Sequence, residues 1–256
     1  MNKLLGIFAH PDDESVIAGG TMAKYHRAGW QVDLVCATRG DAGERGDVSE
    51  KAGLLTEIRS KELEAAGSYI GIKSITHLDL PDGKLSVKHP GEIEAMLVDV
   101  FNHMMPDVVI THEPSGITHH PDHIKMSLST TFAFQTYAMD RNELNSEDPN
   151  PPKLYYGCVP STIVSYVQKS GYFPEELFSQ RITGVDDKRI STVISIKSTS
   201  AIKRHAIESH VTQRHVLAKY LDIPDSPFLS QEYFILRYEG IKETFMGKND
   251  RISDRI

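Results

Sequence analysis

Two short stretches of this 256-residue chain concentrate side chains that bind metals and move protons. The first, "FAHPDDES" (Phe8 to Ser15), sets His10, Asp12, Asp13 and Glu14 directly behind a short apolar run. The second, "HEPSGITHHPDH" (His112 to His123), carries four histidines and Asp122. Imidazole and carboxylate together form the nitrogen and oxygen donor set of catalytic zinc, which commonly takes three protein ligands and leaves one position for water. His10 and Asp13 stand close enough in sequence to hold one ion, and a histidine of the second stretch would complete the set. Asp12 is then free to take a proton from the attacking water. A simpler use exists for either aspartate alone, since Asp is a favoured helix N-cap and Glu14 suits the positive end of a helix dipole. Capping leaves His10 and the second cluster unexplained.

These residues need elements to bring them together. "KLLGIFA" reads as a strand, and "DESVIAGGTMAKYHRAG" as a helix with apolar residues at helical spacing. "WQVDLVCATRG" repeats the strand pattern and leads to the charged helix "SEKAGLLTEIRSKELEAAGSYIG". "SITHLDL" is a third strand, "PGEIEAMLVDVFNHM" a third helix, "PDVVITHEP" a fourth strand and "DHIKMSLSTTFAFQTYAM" a further helix. Strands alternating with helices of this length predict βαβ units, an α/β fold with a mostly parallel sheet. If the strand order is 3-2-1-4, the loops after the first and fourth strands lie side by side at the switch point, where ligands bind in open α/β sheets.

The chain reads as one domain over 1–256, with an irregular excursion at about 141–190 that contains the strand-like "LYYGCVP". Such an insertion near a crevice serves as a lid or binding wall, or else as an oligomer contact. Beyond it come the strand "STVISI", one long helix "KSTSAIKRHAIESHVTQRHVLAKYL", the strand "QEYFILRYE" and a loosely held tail, "GKNDRISDRI". His205, His210 and Gln213 read as a polar helix face.

With 39% hydrophobic and 25% charged residues the composition is that of a soluble globular protein. A formal net charge of -7 argues against a nucleic-acid surface, and no window has the length of a membrane span, so the expected location is cytoplasmic. Cys36 and Cys158 sit in apolar contexts without ligand spacing and read as core residues. Paired aspartates behind a strand also hold magnesium for phosphoryl transfer, but the histidines favour zinc, and the chain has no GxxxxGK[ST] loop.

"AHPDDE" followed far downstream by "HHPDH" resembles the LmbE-like, or PIG-L, family of zinc-dependent deacetylases. The likeness extends through "TRG" (Thr38 to Gly40), "IRSKELEAA" (Ile58 to Ala66) and "LDLPDG" (Leu78 to Gly83), and later through "AIKRHAIESHVTQ". The resemblance implies a Rossmann-like three-layer α/β/α fold and hydrolysis of an N-acyl group on an N-acetylglucosamine-type sugar or conjugate. It implies Zn2+, or another divalent transition metal such as Fe2+, held by His10, Asp13 and His123, with Asp12 as general base. His120 would stabilise the oxyanion or help protonate the leaving amine, a proton that Asp12 could equally supply, Asp122 would orient His120, and Arg59 would bind substrate. A charged His120 would balance the developing negative oxygen. Thr118 stands where some relatives place a tyrosine, and His119 competes with His120 for the substrate-facing role. For Arg59 the alternative is a solvated helix charge paired with Glu57 or Glu62; Asp79 and Asp82 would either border the pocket or, in Pro81-Asp82-Gly83, form an ordinary turn; and the region of His205, His210 and Gln213 reaches the crevice in some relatives. Other readings of the whole are an amidase acting on a thiol-sugar conjugate, a homo-oligomer, or a metal- or sugar-binding protein without turnover.

Overall fold

The computed structural model describes residues 1–46, 48–49, 54–223, 225–244 and 253–256. The chain opens with β1 (Lys3–Phe8), α1 (Asp13–Ile17), α2 (Gly19–Arg27), β2 (Gln31–Cys36), α3 (Leu55–Ile70) and β3 (Ser74–His77). It continues with α4 (Glu92–Met104), β4 (Val108–His112), the one-turn α5 (Gly116–His119), α6 (Pro121–Leu144) and β5 (Lys153–Cys158). The last part holds α7 (Ser161–Lys169), a small hairpin of β6 (Glu176–Leu177) and β7 (Gln180–Arg181), β8 (Thr192–Ser195), α8 (Ser200–Ser209), α9 (Arg214–Asp222), β9 (Gln231–Glu239) and β10 (Lys242–Glu243).

The main sheet runs in the order β10-β9-β5-β4-β1-β2-β3, with β8 also on β9. The five strands β3, β2, β1, β4 and β5 are parallel, and β9 joins β5 antiparallel. The expected 3-2-1-4 order is therefore present, and the strand order reverses at β1.

Both faces of the sheet are covered, so its central strands read as near-continuous apolar runs. Alternation along β1 divides them: Leu4 and Phe8 join Met22, Leu63, Ile70 and Ala206 of α2, α3 and α8. Leu5 and Ile7 point the other way, toward Leu97, Phe101, Phe134 and Tyr137 of α4 and α6. Cys36 and Cys158 are buried and unpaired, as expected of core residues. Among the described residues, no helix is long and apolar enough to cross a membrane.

Three sequence expectations are revised. "LYYGCVP" is not part of an excursion, because β5 lies inside the main sheet between β4 and β9. Only the stretch after it, with α7 and the hairpin, leaves the sheet. The helix expected after His10 is two helices, since the buried Glu232 carboxylate accepts the N–H groups of Gly20 (2.9 Å) and Thr21 (2.7 Å) and so starts α2 afresh. The long late helix is also two, because Glu62 accepts Thr212 N–H (2.8 Å) and Thr212 Oγ1–H (2.6 Å), leaving His210 non-helical between α8 and α9. Residues 247–252 of the expected tail lie outside the described residues. Ser253 is held by main-chain bonds to Ser191 and Val193.

The Glu232 cap depends on Lys203, whose Nζ donates to Glu232 Oε1 and to the Val16 carbonyl, both at 2.7 Å. Both side chains of the pair are almost fully buried. Replacing Lys203 with Met strands a buried carboxylate and is expected to cost about 3–5 kcal/mol in urea unfolding. The K203M/E232Q double variant should lose less than the sum of the two single variants. Strict additivity would show that the pair does not act as a unit.

Candidate active site

The parallel pairing of Leu4 with Val108 and of Gly6 with Ile110 sets the carboxyl ends of β1 and β4 side by side. The loops that follow carry the two histidine and aspartate clusters, and they meet. His10 Nδ1 lies 3.1 Å from His123 Nε2 and 3.5 Å from Asp13 Oδ2, and His123 Nε2 lies 3.3 Å from Asp13 Oδ1. Donors about 2.0–2.1 Å from a tetrahedral zinc stand roughly 3.3 Å apart, so the spacing fits one ion.

The opposite edges of both rings are committed in the way a metal ligand requires. His10 Nε2 faces Asp82 Oδ1 at 3.0 Å and Asp122 Oδ2 at 3.4 Å, so its proton belongs there and the Nδ1 lone pair is free. His123 Nδ1 donates to the Gly116 carbonyl at 3.1 Å, which leaves Nε2 free. Burial opposes protonation of His10, but bonds to Asp122, Asp13 and Asp82 outweigh it and raise its basicity well above the ordinary value. Burial pushes the Asp13 carboxyl up, and His123, His112 and the His10 hydrogen bond pull it well below the usual range, so it is ionised.

Asp12 is placed differently. It precedes α1 but makes no side-chain cap, and its φ of 122° is costly for a residue with a side chain. That conformation is held by Glu14, whose Oε2 accepts the Asp12 N–H at 2.9 Å. The Asp12 carboxylate faces the cavity, where Arg59 Nη2 donates to Oδ2 at 3.1 Å. Desolvation raises the Asp12 carboxyl to about 6, with Arg59 opposing the rise and Asp13 adding to it. Such a group is ionised near neutral pH yet basic enough to take a proton.

Arg59 is buried, not a solvated charge beside Glu57 or Glu62. Its Nη2 also donates to the Pro11 carbonyl at 2.6 Å and its Nη1 to the Gly40 carbonyl at 2.9 Å. Gly40 has φ +68°, and a Cβ there would collide with the guanidinium, which gives "TRG" its physical meaning.

His120 lines the cavity, whereas His119 Nε2 faces the Arg181 carbonyl at 3.1 Å. His120 Nδ1 accepts the Asp122 N–H at 3.2 Å, so the neutral ring carries its proton on Nε2. Burial, reinforced by His10 and His123, lowers His120 to about 4, which makes a neutral donor of a residue expected to be charged. Asp122 meets His120 through its main chain only. Its carboxylate accepts Gly83 N–H (2.7 Å) and Leu85 N–H (3.0 Å) and faces His10.

Other residues of the site were open between two readings in the sequence or not singled out there. Asp82 faces His10 and accepts the Ala42 N–H at 2.9 Å, so "PDG" is more than a turn, whereas Asp79 pairs outward with Arg39. His112 stacks on His123 with ring centroids 4.1 Å apart, and its Nε2 accepts the Ala9 N–H at 3.2 Å. His210 is not on a polar face: it is fully buried, with Nε2 2.9 Å from Glu14 Oε1. Gln213 lines the cavity, while His205 is exposed and pairs with Glu208.

The PIG-L family model, "GlcNAc-PI de-N-acetylase", matches residues 5–134. This chain belongs to the PIG-L family. A family relative from Thermomonospora curvata, named 1D-myo-inositol 2-acetamido-2-deoxy-alpha-D-glucopyranoside deacetylase, is 30% identical over 239 residues, covering 82% of this chain and 80% of its own. The N,N'-diacetylchitobiose deacetylase of Pyrococcus horikoshii superposes with a TM-score of 0.67 at 21% identity, over 94% of this chain and 85% of its own. GalB, a 4-carboxy-2-hydroxymuconate hydratase from Pseudomonas putida, superposes at 0.64 and 18% identity, over 95% and 99%. The PIG-L fold thus carries more than one chemistry, and the side chains must decide between them.

The His210 and Glu14 pair braces Asp12, so it bears on stability. Burial lowers the affinity of His210 for a proton, but Glu14 more than offsets this and its pKa is raised. A raised pKa contributes stability that is fully present below about pH 6.5 and is lost as pH climbs through the folded value. His210→Ala is expected to cost about 3–5 kcal/mol on the acid side. The gap from the parent should narrow as urea titrations move to alkaline pH, and a gap independent of pH would contradict this.

Proposed function

We propose that the chain is a metal-dependent hydrolase that removes the N-acetyl group from an N-acetylated amino sugar or a conjugate of one. One observation carries the reading. His10 Nδ1, His123 Nε2 and the Asp13 carboxylate converge at the spacing of a single ion, while Asp12 beside them is left facing the cavity. Family membership supports it, as do relatives named as deacetylases.

His10, Asp13 and His123 would hold zinc, or Fe2+ by the same donor chemistry. When bound, the ion supplies a Lewis acid that makes water nucleophilic near neutral pH and polarises the acyl carbonyl. The chain's own residues do the rest. Asp12 accepts a proton from the attacking water, its carboxylate held by Arg59. His120 presents Nε2–H to the carbonyl oxygen as it turns negative, acting as a neutral donor. Asp12 then delivers that proton to the leaving nitrogen, so one water supplies the hydroxyl of acetic acid and the new N–H of the amine, and the acid's own proton passes to the amine as the two leave as acetate and ammonium. Asp82 and Asp122 hold His10 in its ligand tautomer. Arg59 thereby acts on substrate through Asp12.

Asp12→Asn is expected to keep about one zinc per chain by elemental analysis and to lose roughly 100- to 10,000-fold in acetate release from N-acetylglucosamine conjugates. His10→Ala should lose the metal and the activity together. Full turnover by Asp12→Asn, or by parent protein stripped of metal, would overturn the mechanism.

A further inference from the structure

The cavity continues past the catalytic residues. Its volume of about 360 Å³ starts at His10, Asp12 and His120 and extends along a wall that includes Ile163, Val167, Phe173, Leu177, Tyr220 and Phe228. These six residues come from α7, the hairpin, the segment between those two, α9 and the turn before β9, and all lie outside the part matched by the family model. The wall is braced from behind. Val167 and Phe228 are buried with Ile223 in a small core of their own, against which Ile163, Phe173 and Tyr220 pack. The half-exposed Phe178, in the turn of the hairpin, sets its ring edge-on to His120, with centroids 5.0 Å apart.

Several of the polar groups that share this side of the cavity are already engaged within the protein. Lys203 and Glu232 bind each other, Gln213 Nε2 donates to the Glu44 carbonyl at 2.7 Å, and Tyr233 donates to Gln231 at 2.8 Å. Lys219 Nζ lies over the rings of Phe173 (4.8 Å) and Tyr220 (5.7 Å), so its charge rests on π faces and its stem adds to the apolar wall. A polyhydroxylated group pressed against this wall would give up water without gaining partners, whereas a hydrocarbon would gain by leaving water.

We propose that the cavity is a two-part site whose distal half binds an apolar alkyl or aryl substituent of the substrate, carried on the acyl group or on the aglycone of the amino sugar. The word substrate rests on the deacetylase reading above, but binding to the wall does not. Two kinds of measurement keep these separate. Calorimetry of the zinc-loaded protein with alkyl glucosides from ethyl to octyl, which contain no amide, should show affinity rising roughly three- to fourfold per methylene. Ile163→Ser and Leu177→Ser, at half-buried positions that tolerate a polar side chain, should flatten that series. Equal affinity across the series, or a slope unchanged in both variants, would overturn the proposal. For turnover, kcat/KM is compared along N-acyl glucosamines of growing acyl length and along alkyl glycosides of N-acetylglucosamine. The series that rises shows which end of the substrate fills the wall. Rising affinity without any acetate or acid release would sustain the subsite and refute the deacetylase reading. Turnover indifferent to chain length in both series would refute the subsite and sustain the deacetylase.

Discussion

Donor atoms of three residues on two loops, His10 and His123 being 113 residues apart, pair off at 3.1 to 3.5 Å with one Asp13 oxygen toward each histidine, and the rest of the molecule follows from keeping them there. Lone pairs crowded at that distance repel unless a cation or a proton lies between them, so the cluster cannot hold itself together. The sheet supplies the coarse placement, because β1 and β4 are neighbours and run the same way. Fine placement comes from the far edge of each ring: Asp82 and Asp122 fix His10, and the Gly116 carbonyl fixes His123. Partners on the far edge of each ring aim it before any metal would arrive.

The adjacent aspartates show how one residue's difference in position divides chemistry. Asp13 is buried among imidazoles and is ionised. Asp12 is turned out by a positive φ into the cavity, where desolvation leaves it a usable base. The turn is maintained at a distance, since Glu14 holds the Asp12 N–H with one oxygen and His210 with the other. Strained backbone at the proposed reacting centre is thus supported by a buried ion pair that reaches the break between α8 and α9.

How much of this was legible depended on whether a residue's partners were local. His10, Asp12, Asp13 and His123 announced themselves because charge crowded behind apolar strands has few structural uses. The βαβ rhythm gave the parallel sheet and its switch point. Asp82 was ambiguous because Pro-Asp-Gly satisfies turn chemistry as well as it serves His10. His210 was opaque because its partner, Glu14, is 196 residues away and a single helical histidine carries no signal of burial. β5 was misread because the proline-rich loop before it resembles the start of an insertion, while its pairing with β4 and β9 is set by tertiary contacts alone. The two broken helices were hidden for the same reason, since Glu232 and Glu62 intercept their backbone from distant elements.

The apolar wall and the proposed metal ligands come from different halves of the chain. Every group assigned to bond breaking falls within residues 5–134, and the wall is assembled from later segments that line the same cavity. Drift in the wall can therefore change which molecules are admitted while leaving untouched the atoms that cut them. For lineages descending from such a chain, new specificity is reachable by small steps, each passing through a working hydrolase.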